Sequence, residues 1–552
     1  MIADIHITEK SFGDKTLMKD VKFSVDDGEK VGVVGRNGVG KSTLFGILSG
    51  KDTDYTGEVI FRRGITVTTT AQEHHGLGDQ TVMSYILGGL PEYSKLKKII
   101  DEYPLTMGDN MRKIEEYTQA LERFDQKGFY QVEEKIEREL SNFQLDGYGD
   151  RRISSLSGGQ KRLVEIVKIM HSEAHLALID EPTNHMDYVA KQQFIDWMNS
   201  QPHQAMLIIT HDRDVLGQVD RIVEIKDGQA VSYRGNYDAY LKQNAQATTA
   251  GMNNFEQIEK RIVNLKQKVL DYQRLKEKSR NPGTIQKFKR LENEARAELA
   301  ELSEMEKPTF WIDKESVGQL DYKSAERYGK FKSRNIRLSM KDASSRSQHM
   351  LVRAENVAVG IGERILFEDV NIDLREGEAI EIRGRNGAGK TTLIRMILAS
   401  GKSFDGGPIL YSGDIFLDPQ VRIGVYEQEI DERYLSDPLE KAIEKLYMSR
   451  DLSISDTKIR QLLADYLFTD ADRMTPLARL SGGQKARFQI ISMLANDPQL
   501  LILDEPTNHL DLPSIEELET ALAKYSGAIL YVSHDNYFRE KLGGKVAQIG
   551  AE

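Results

Sequence analysis

Two segments of this chain repeat each other block by block, and no other feature of the sequence constrains the fold as strongly. Four blocks return in the same order: Gly35–Ser42 as Gly384–Thr391, Leu156–Gln160 as Leu480–Gln484, Asp180–Asp187 as Asp504–Asp511, and Thr210–Asp212 as Ser533–Asp535. A repeat on this scale indicates a duplicated domain rather than chance. The sequence therefore predicts two homologous domains, 1–245 and 349–552, with a further segment, 246–348, between them.

The first repeat carries an insertion that the second lacks. Lys41 lies 116 residues before Ser157, whereas Lys390 lies only 91 residues before Ser481. The difference, about 25 residues, is placed at about 92–140, where apolar residues recur among charges at mostly helical spacing. We interpret this segment as a short helical arm. An inert elaboration of the surface is the alternative.

The segment 246–348 belongs to neither repeat and has the pattern of two helices. Apolar residues recur every three or four positions from Ile258 to Leu275, and again from Ile285 to Met305, which gives each helix one apolar stripe. Pro282 interrupts the pattern between them, because proline ends helices. The sequence therefore predicts an antiparallel helical hairpin whose first helix, of about 28 residues, is roughly 40 Å long.

Positive charge concentrates on this hairpin, although the whole chain has 75 Lys and Arg against 86 Asp and Glu. The predicted tip carries Lys276, Lys278, Arg280, Lys287, Lys289 and Arg290. A second basic run, from Lys323 to Arg337, is accompanied by the aromatic residues Tyr322, Tyr328 and Phe331. Basic residues interleaved with aromatic ones favour contact with RNA, through phosphate groups and stacked bases. A solvated, charged coiled coil is the plainer alternative.

Composition excludes several classes of protein. The chain has no cysteine, so it forms no disulfide and no cysteine-ligated zinc or iron–sulfur site. It has no run of about 18 apolar residues, which a membrane-spanning helix requires. The N-terminus lacks the basic and apolar regions of a signal peptide. These observations predict a cytoplasmic protein with no membrane partner.

The glycine-rich blocks have the pattern of phosphate-binding loops. Each follows an apolar strand and precedes a helical segment, which is the structural context that such a loop needs. Its glycines let backbone N–H groups approach phosphate oxygens at a helix N-terminus. We expect Lys41 and Lys390 to pair with the phosphates, and Ser42 and Thr391 to supply hydroxyl ligands to Mg²⁺.

Acidic residues end an apolar strand in each repeat. Leu176–Ile179 reads as a buried parallel strand, and Asp180 and Glu181 follow it at the edge where α/β sheets bind ligands. Asp180 is placed to hold Mg²⁺ and Glu181 to orient or deprotonate the attacking water. His211 ends another apolar strand, where it could contact a γ-phosphate. The second repeat has Asp504, Glu505 and His534 at these positions.

Together these blocks resemble those of ATP-binding cassette ATPases, in which the Leu-Ser-Gly-Gly-Gln block is the family signature. Two cassettes on one chain, joined by a charged helical linker of about a hundred residues, resemble the ABC-F subfamily of ribosome-associated ATPases. Asp-Glu-Pro-Thr-Asn-His followed by Leu or Met and Asp, present in both repeats, is also typical of that subfamily. The implied fold is α/β, with two P-loop cassettes, a helical hairpin linker and a helical arm in the first cassette.

The resemblance implies two composite sites for ATP and Mg²⁺, each built from the phosphate loop of one cassette and the signature of the other. One site comprises Gly35, Asn37, Gly38, Gly40, Lys41, Ser42, Thr43, Gln72, Asp180, Glu181 and His211 with Ser481, Gly482, Gly483 and Gln484. The other comprises Gly384, Asn386, Gly387, Gly389, Lys390, Thr391, Thr392, Gln428, Asp504, Glu505 and His534 with Ser157, Gly158, Gly159 and Gln160. The implied Mg²⁺ ligands are Ser42, Gln72 and Asp180, and Thr391, Gln428 and Asp504.

An aromatic residue stacks on adenine in such cassettes, and Phe12 fits this position in the first one. Aligning Asp20-Val21 with Asp369-Val370 places Ile361 opposite Phe12. The second site is therefore expected to lack the stacking residue, so the two sites need not bind nucleotide equally well.

In the family, the closed ATP-bound form binds the ribosomal exit site, and the hairpin extends toward the P-site tRNA and the peptidyl-transferase centre of the large-subunit rRNA. The resemblance implies this role for a monomer whose two cassettes pair within one chain, with no DNA partner. Ribosome protection that confers antibiotic resistance is favoured, since Phe310–Glu315 and the basic run after it resemble resistance-type linkers.

Three other functions stay open. The arm is commonest in ABC-F translation factors, which regulate elongation or rescue stalled ribosomes. An ATPase component of a membrane transporter and a DNA-associated ATPase are more distant alternatives, which the hairpin and the absence of cysteine disfavour.

Overall fold

The computed structural model describes residues 1–13, 15–70, 79–106, 108, 110–184, 186–305, 307–318, 322–338, 349–402, 407–427 and 430–550. The chain divides into two compact units. One holds both cassettes, Met1–Tyr237 and Ile336–Glu552, and the other is Asp238–Asn335. No helix among the described residues is long and apolar enough to span a membrane.

The first cassette combines two sheets with helices. Its strands are β1 (Ala3–Phe12), β2 (Lys15–Val25), β3 (Lys30–Gly35), β4 (Thr56–Phe61), β5 (Val67–Thr69), β6 (Leu176–Asp180), β7 (Ala205–Ile209), β8 (Arg221–Lys226) and β9 (Gln229–Arg234). Its helices are α1 (Lys41–Leu48), α2 (Val82–Gly88), α3 (Tyr93–Thr106), α4 (Met111–Gln126), α5 (Val132–Asn142), α6 (Gly158–His171), α7 (Tyr188–Ser200) and α8 (Arg213–Leu216).

The central sheet positions the chemistry of this cassette. Its order is β5-β6-β7-β3-β8-β9, parallel except for the edge strand β9. Strands β6 and β7 are buried along their whole length, which explains their uninterrupted apolar sequences. Because the strands are parallel, the glycine loop after β3, the acids after β6 and the histidine after β7 emerge at one edge.

The arm is a helical hairpin formed by α3 and α4. Its base is held by rings: the centroid of Tyr93 lies 5.6 Å from that of Phe124 and 5.2 Å from that of Phe129, and all three side chains are buried. At its far end Leu105 and Met111 are exposed by 86% and 76%. The arm is therefore anchored in the cassette core and presents apolar side chains to solvent.

Unit Asp238–Asn335 is helical. Its helices are α9 (Tyr237–Lys278, beginning one residue before the unit), α10 (Pro282–Glu304), α11 (Lys314–Gly318) and α12 (Tyr322–Phe331). Asn281 begins α10 by accepting a 2.9 Å hydrogen bond from the Gly283 N–H, and Pro282 occupies the first helical position. The Asn-Pro-Gly segment thus forms the turn between the helices, as the sequence predicted.

Helices α9 and α10 are antiparallel and joined by apolar and charged contacts. Leu265, Val269 and Ala295 form their buried seam. Glu292, only 5% exposed, accepts hydrogen bonds from Lys276 (2.5 Å) and from Arg296 (2.9 Å). Arg296 belongs to the same helix as Glu292, whereas Lys276 lies on α9. The Lys276–Glu292 pair therefore favours the observed register near the tip, because a one-turn slip would separate the two groups.

The prediction of a 28-residue first helix is wrong. Helix α9 has 42 residues, which corresponds to about 63 Å, so the helical unit begins near residue 238 rather than at 246. The buried stripe continues upstream through Tyr240, Asn244, Thr248 and Met252. Two of these residues are polar, so an apolar pattern does not reveal them. Residues 339–348, which the sequence assigns to the linker, lie outside the described residues.

Two aromatic residues of the second basic run, Tyr328 and Phe331, are not available to stack on bases. Tyr328 and Phe331 are 4% and 3% exposed and pack with Met252 and Ile312 in a small core. The hydroxyl of Tyr328 accepts a 2.9 Å hydrogen bond from the Ile312 N–H. The interpretation of these rings as an RNA-binding surface is therefore wrong, because they supply the core of their own unit.

The second cassette repeats the first. Its strands are β10 (Met350–Ile361), β11 (Arg364–Arg375), β12 (Ala379–Arg383), β13 (Pro408–Leu417), β14 (Ile423–Tyr426), β15 (Leu500–Asp504), β16 (Ala528–Val532) and β17 (Lys545–Gln548). Its helices are α13 (Lys390–Leu398), α14 (Glu432–Leu435), α15 (Leu439–Met448), α16 (Asp456–Asp465), α17 (Asp470–Arg473), α18 (Gly482–Leu494), α19 (Leu512–Ala523) and α20 (Asn536–Leu542). The sheet order β14-β15-β16-β12-β17 matches that of the first cassette, so the predicted fold class is confirmed.

Comparison of the two cassettes shows where the insertion in the first one lies. Isolated bridges join Thr81 to Arg152 and Pro438 to Pro476 at equivalent places. Between these bridges the first cassette is longer by about 33 residues, which matches α3 and α4, whereas α5 has its counterpart in α16. The estimate of 25 is too small because the first cassette is shorter before this point, where β4 has 6 residues and β13 has 10.

Candidate nucleotide-binding sites

The glycine loops are shaped to surround an anion. Gly40 has a φ of 103°, and a Cβ there would lie 2.7 Å from the Leu17 side chain, so only glycine fits. Lys41 is folded over its loop: Nζ donates to the carbonyl oxygens of Gly35 (2.7 Å) and Arg36 (3.2 Å). Burial lowers the pKa of Lys41. A cation and backbone donors at the start of α1 form an anion site.

The second loop has the same geometry. Gly389 has a φ of 98°, and Lys390 Nζ donates to the carbonyl oxygens of Gly384 (2.9 Å) and Arg385 (3.0 Å). Thr43 and Thr392 lie in the first turns of α1 and α13. The remaining predicted loop residues are Asn37, Gly38, Asn386 and Gly387, which lie between the strand and the helix of each cassette.

Each helix begins with a hydroxyl group that touches the first acid of the strand end. Ser42 Oγ donates to Asp180 Oδ2 over 3.0 Å, and Thr391 Oγ1 donates to Asp504 Oδ2 over 2.7 Å. Hydroxyl and carboxylate oxygens side by side, next to an anion loop, fit the donor set that Mg²⁺ prefers when it also binds phosphate. The other two predicted ligands, Gln72 and Gln428, lie outside the described residues.

The second acid of each pair is held in a strained conformation beside the histidine. Glu181 and Glu505 have φ values of 48° and 50°, a region that costs energy for a residue with a side chain. The Nε2 atom of His211 lies 3.5 Å from Glu181 Oε1, and that of His534 lies 3.3 Å from Glu505 Oε1. The glutamate and the histidine therefore lie side by side in both cassettes.

Burial sets the protonation of these groups. It raises the pKa of the Glu505 carboxyl to about 7 and also raises that of Glu181. It lowers the pKa of His534 to about 3 and also lowers that of His211, so both imidazoles are neutral at pH 7. A carboxyl group with a pKa near the working pH suits a general base. Among the described residues, neither ring nitrogen of the buried His211 has a hydrogen-bond partner, which points to a ligand at this site.

The signature blocks form helix N-termini. Ser157 and Gln160 cap α6 with reciprocal side-chain hydrogen bonds, and Ser481 and Gln484 do the same for α18. The glycines Gly158, Gly159, Gly482 and Gly483 occupy the first two positions of these helices. At Gly483 the close approach of the other cassette requires a glycine, since a Cβ there would collide with the side-chain amide of Asn37.

The two cassettes are paired head to tail by an interlock that the sequence analysis missed. The backbone N–H of Asn37 donates to Asp511 Oδ2 over 3.1 Å, and that of Asn386 donates to Asp187 Oδ2 over 3.0 Å. Each aspartate also caps its own helix, α7 or α19. The sequence does mark this position, because the aspartate ends the repeated block in both cassettes. We call Asp187 and Asp511 the interlock aspartates.

A cavity of about 730 Å³ joins the two cassettes at the second predicted site. It is lined by signature residues of the first cassette and loop residues of the second, among them Ser157, Gly159, Gln160, Asn386, Gly387, Gly389, Lys390, Thr391, Thr392, Asp504, Glu505 and His534. Such a volume suits a nucleotide. The structure thus brings together residues that lie more than 200 positions apart in sequence.

The position predicted for the adenine-stacking residue is equivalent in the two cassettes. Phe12 pairs with Lys15 at the end of the β1–β2 hairpin, and Ile361 pairs with Arg364 at the end of β10–β11. Phe12 is 57% exposed, which leaves its ring accessible. Ile361 lines the cavity, so an aliphatic side chain stands where the first cassette has an aromatic one.

The comparison with protein families agrees with this geometry. The family described as "ABC transporter" matches residues 18–184 and 367–508, which are more than half of the chain. A relative named "ABC transporter F family member 2", from Arabidopsis thaliana, is 29% identical over 98% of this chain and 75% of its own length. The chain belongs to the ABC-F subfamily of ATP-binding cassette proteins.

Two bacterial relatives of this ABC-F protein carry functional names. The "Ribosome protection protein VmlR" of Bacillus subtilis is 27% identical over 96% of this chain and 83% of its own length. The "Energy-dependent translational throttle protein EttA" of Mycobacterium tuberculosis is 28% identical over 96% of this chain and 88% of its own length. These are similarities of nearly full length.

Replacing Asp187 by alanine tests the interlock. We expect Asp187→Ala to lower the ATP hydrolysis rate of this ABC-F protein at least tenfold, because the glycine loop of the second cassette loses its partner across the interface. Steady-state ATPase assays measure this rate. Ser455→Ala is the matched control, since Ser455 caps α16 and its loss costs a similar cap energy of about 1 kcal/mol. Equal rates for the two variants would contradict the role of the interlock.

Proposed function

We propose that this ABC-F protein hydrolyses ATP to ADP and phosphate at two composite sites. The observation that carries the proposal is the head-to-tail pairing, in which each glycine loop faces the signature of the other cassette. Lys41 and Lys390 bind the phosphates in this proposal, and the signature helix N-termini add backbone donors from the opposite cassette. ATP is therefore bound by both cassettes at once.

The residues beside the glycine loops have separate roles in metal binding and in proton transfer. Ser42 with Asp180, and the second-site pair Thr391 with Asp504, would hold Mg²⁺. The metal ion, when bound, neutralises charge on the phosphate oxygens. Glu505 accepts the proton of the attacking water at the second site, and neutral His534 offers an N–H to the phosphate oxygens. Glu181 and His211 have the same roles at the first site.

ATP binding favours the closed pairing because each nucleotide contacts both cassettes. A ligand shifts such an equilibrium only by its differential affinity for the two states. Contacts that ATP makes across the interface raise its affinity for the closed state over the open one. Loss of the γ-phosphate removes some of these contacts. Hydrolysis therefore acts as the opening signal.

The proposed partner of the closed form is the ribosome, at the exit site, with the hairpin tip acting on P-site tRNA and on rRNA at the peptidyl-transferase centre. Support comes from the names of VmlR and EttA and from the charge of the tip. Lys278, Arg280, Lys287 and Lys289 are exposed, and no ion pair involves them among the described residues. Exposed cations of this kind are suited to phosphate.

Two of the predicted tip residues are less available. Lys276 is paired with the buried Glu292, and Arg290 lies 3.1 Å from Glu294 on the helix surface. The pair of Arg290 is exposed and contributes little to stability, so Arg290 can still turn to a phosphate. Lys276 has a structural role within the hairpin.

Ribosome protection that confers antibiotic resistance is the role we propose, in the cytoplasm, for a monomer that needs neither membrane nor DNA. The similarity to VmlR supports it. A translation factor is the second candidate, which the similarity to EttA and the exposed α3–α4 arm favour.

Drug sensitivity distinguishes the two roles. Expression of the chain in a susceptible bacterium should raise the minimum inhibitory concentration of antibiotics that bind the peptidyl-transferase centre at least fourfold, because the tip reaches their site. The Glu181→Gln/Glu505→Gln variant, expressed equally, should not. An unchanged sensitivity with altered elongation rates would instead support the translation-factor role.

Trapping the closed form tests the partner. Glu181→Gln/Glu505→Gln should bind ATP without hydrolysing it and therefore stay closed, so that it co-sediments with 70S ribosomes in the presence of ATP. The matched control adds Lys41→Ala and Lys390→Ala, which remove phosphate binding. Recovery of the trapped protein with membranes or DNA, or in the supernatant, would contradict the proposal.

Charge reversal at the tip tests the hairpin. Lys287→Glu/Lys289→Glu should weaken ribosome-dependent activity at least tenfold and leave ATP binding unchanged, because the tip contacts RNA and not nucleotide. Lys266→Glu/Lys268→Glu is the matched control, since both residues are exposed on the shaft of α9, about 18 Å from its end. Equal losses for the two variants, measured by ribosome binding, would count against a specific tip contact.

A further inference from the structure

Lys191, in the first turn of α7, links the first cassette to the histidine segment of the second. Its Nζ lies 2.5 Å from Asp214 Oδ2 and 3.3 Å from Asp212 Oδ2. It also donates a 2.8 Å hydrogen bond to the main-chain oxygen of His534. The residue is only 4% exposed, so this ammonium group is held in one place by three oxygen atoms.

A second contact holds the same segment. The side-chain amide of Asn536 donates to Asp214 Oδ2 over 2.8 Å. Asp212 is itself fixed, because it caps α8 by accepting hydrogen bonds from the backbone of Asp214 (2.9 Å) and Val215 (3.2 Å). The segment 534–536 of the second cassette is thus bonded to the first cassette at both ends, through Lys191 and Asp214.

This segment carries the histidine of the second site. The His534 Nε2 atom lies 3.3 Å from Glu505 Oε1, and the His534 N–H donates to Glu505 Oε2 over 3.1 Å. Lys191, His534 and Glu505 all line the cavity of this site. A displacement of the His534 main chain would therefore move both the imidazole and a donor to the carboxylate.

The first site lacks the residues that make these contacts, because its counterpart residues differ. Lys191 is the fourth residue after Asp187, and the fourth residue after Asp511 is Ile515, which can donate no hydrogen bond. Tyr537 stands in the place of Asp214. The first-site segment is held instead by Arg213, whose Nη1 donates to Glu519 over 2.9 Å.

We propose that Lys191 is a positioning residue of the second ATP site alone, which makes hydrolysis there depend on the first cassette through the main chain of His534. This proposal rests on the ATPase activity proposed above. It makes the two sites chemically unequal: the second is coupled to the other cassette through the main chain of its histidine by Lys191, whereas the first is coupled through the side-chain pair of Arg213 and Glu519. Opening and hydrolysis at the second site are thereby linked.

Single-site backgrounds separate the two sites. Glu181→Gln leaves only the second site able to hydrolyse ATP, and Glu505→Gln leaves only the first. Adding Lys191→Met should lower kcat about tenfold in the Glu181→Gln background with KM changed less than twofold, because ATP still enters the open form and only the contacts that hold the closed form are lost. In the Glu505→Gln background kcat should stay within twofold. Lys191→Arg, which keeps charge and donors, should retain at least half of the second-site kcat.

Loss of the buried cation could also destabilise the chain, because Asp212 and Asp214 would face each other without it. Asn536→Ala avoids this problem, since Asn536 is exposed and its removal leaves Lys191 paired. It should lower the second-site kcat in the same direction, by about threefold. Equal kcat losses in the two backgrounds, or no loss in either, would overturn the proposal.

A measurement without turnover completes the test. In the Glu181→Gln/Glu505→Gln protein, Lys191→Met should shorten the retention of labelled ATP at least threefold, and unchanged retention would count against the proposal. If neither single-site background hydrolyses ATP before Lys191 is changed, the proposed ATPase function fails. Retention then decides the role of Lys191 by itself, so the two failures are distinguishable.

Discussion

The bond between an interlock aspartate and the glycine loop of the opposite cassette is the interaction on which the sites depend. Asp187 and Asp511 each cap a helix of their own cassette and accept a backbone N–H from Asn386 or Asn37 in the other. A carboxylate that is shared in this way ties the position of one loop to a helix of its partner. These bonds join the same interface across which signature and phosphate loop face each other.

The duplicated sites are not identical. Phe12 is exposed at the end of the β1–β2 hairpin, whereas Ile361 lines the second site, and Ile515 stands where the first cassette has Lys191. Both repeats retain the glycine loop, the two acids at the strand end and the histidine. They do not retain the same residues around these groups, and those residues decide how each site responds to its partner cassette.

The helical unit has a different physical basis. Its hairpin is joined by a narrow apolar seam and by the buried Glu292 of α10, which binds Lys276 of α9 across the seam and Arg296 on its own helix. Such a carboxylate is stable only with its cations in place. The exposed lysines at the tip are then carried on a helix pair of defined register, which is what a probe of an RNA surface requires.

Sequence alone determined the features that local chemistry encodes. Some features need particular residues only a few positions apart, so the sequence alone predicts them. They are the glycine loops, the acids at strand ends, the capped signature helices and the Asn281 turn. Only the tertiary structure decided which distant residues meet. The interlock aspartates, Lys191 with His534, and the burial of Tyr328 and Phe331 all depend on packing between segments far apart in the chain. Aspartate, lysine and tyrosine are also common on protein surfaces, so their presence in the sequence does not predict that they are buried at these contacts.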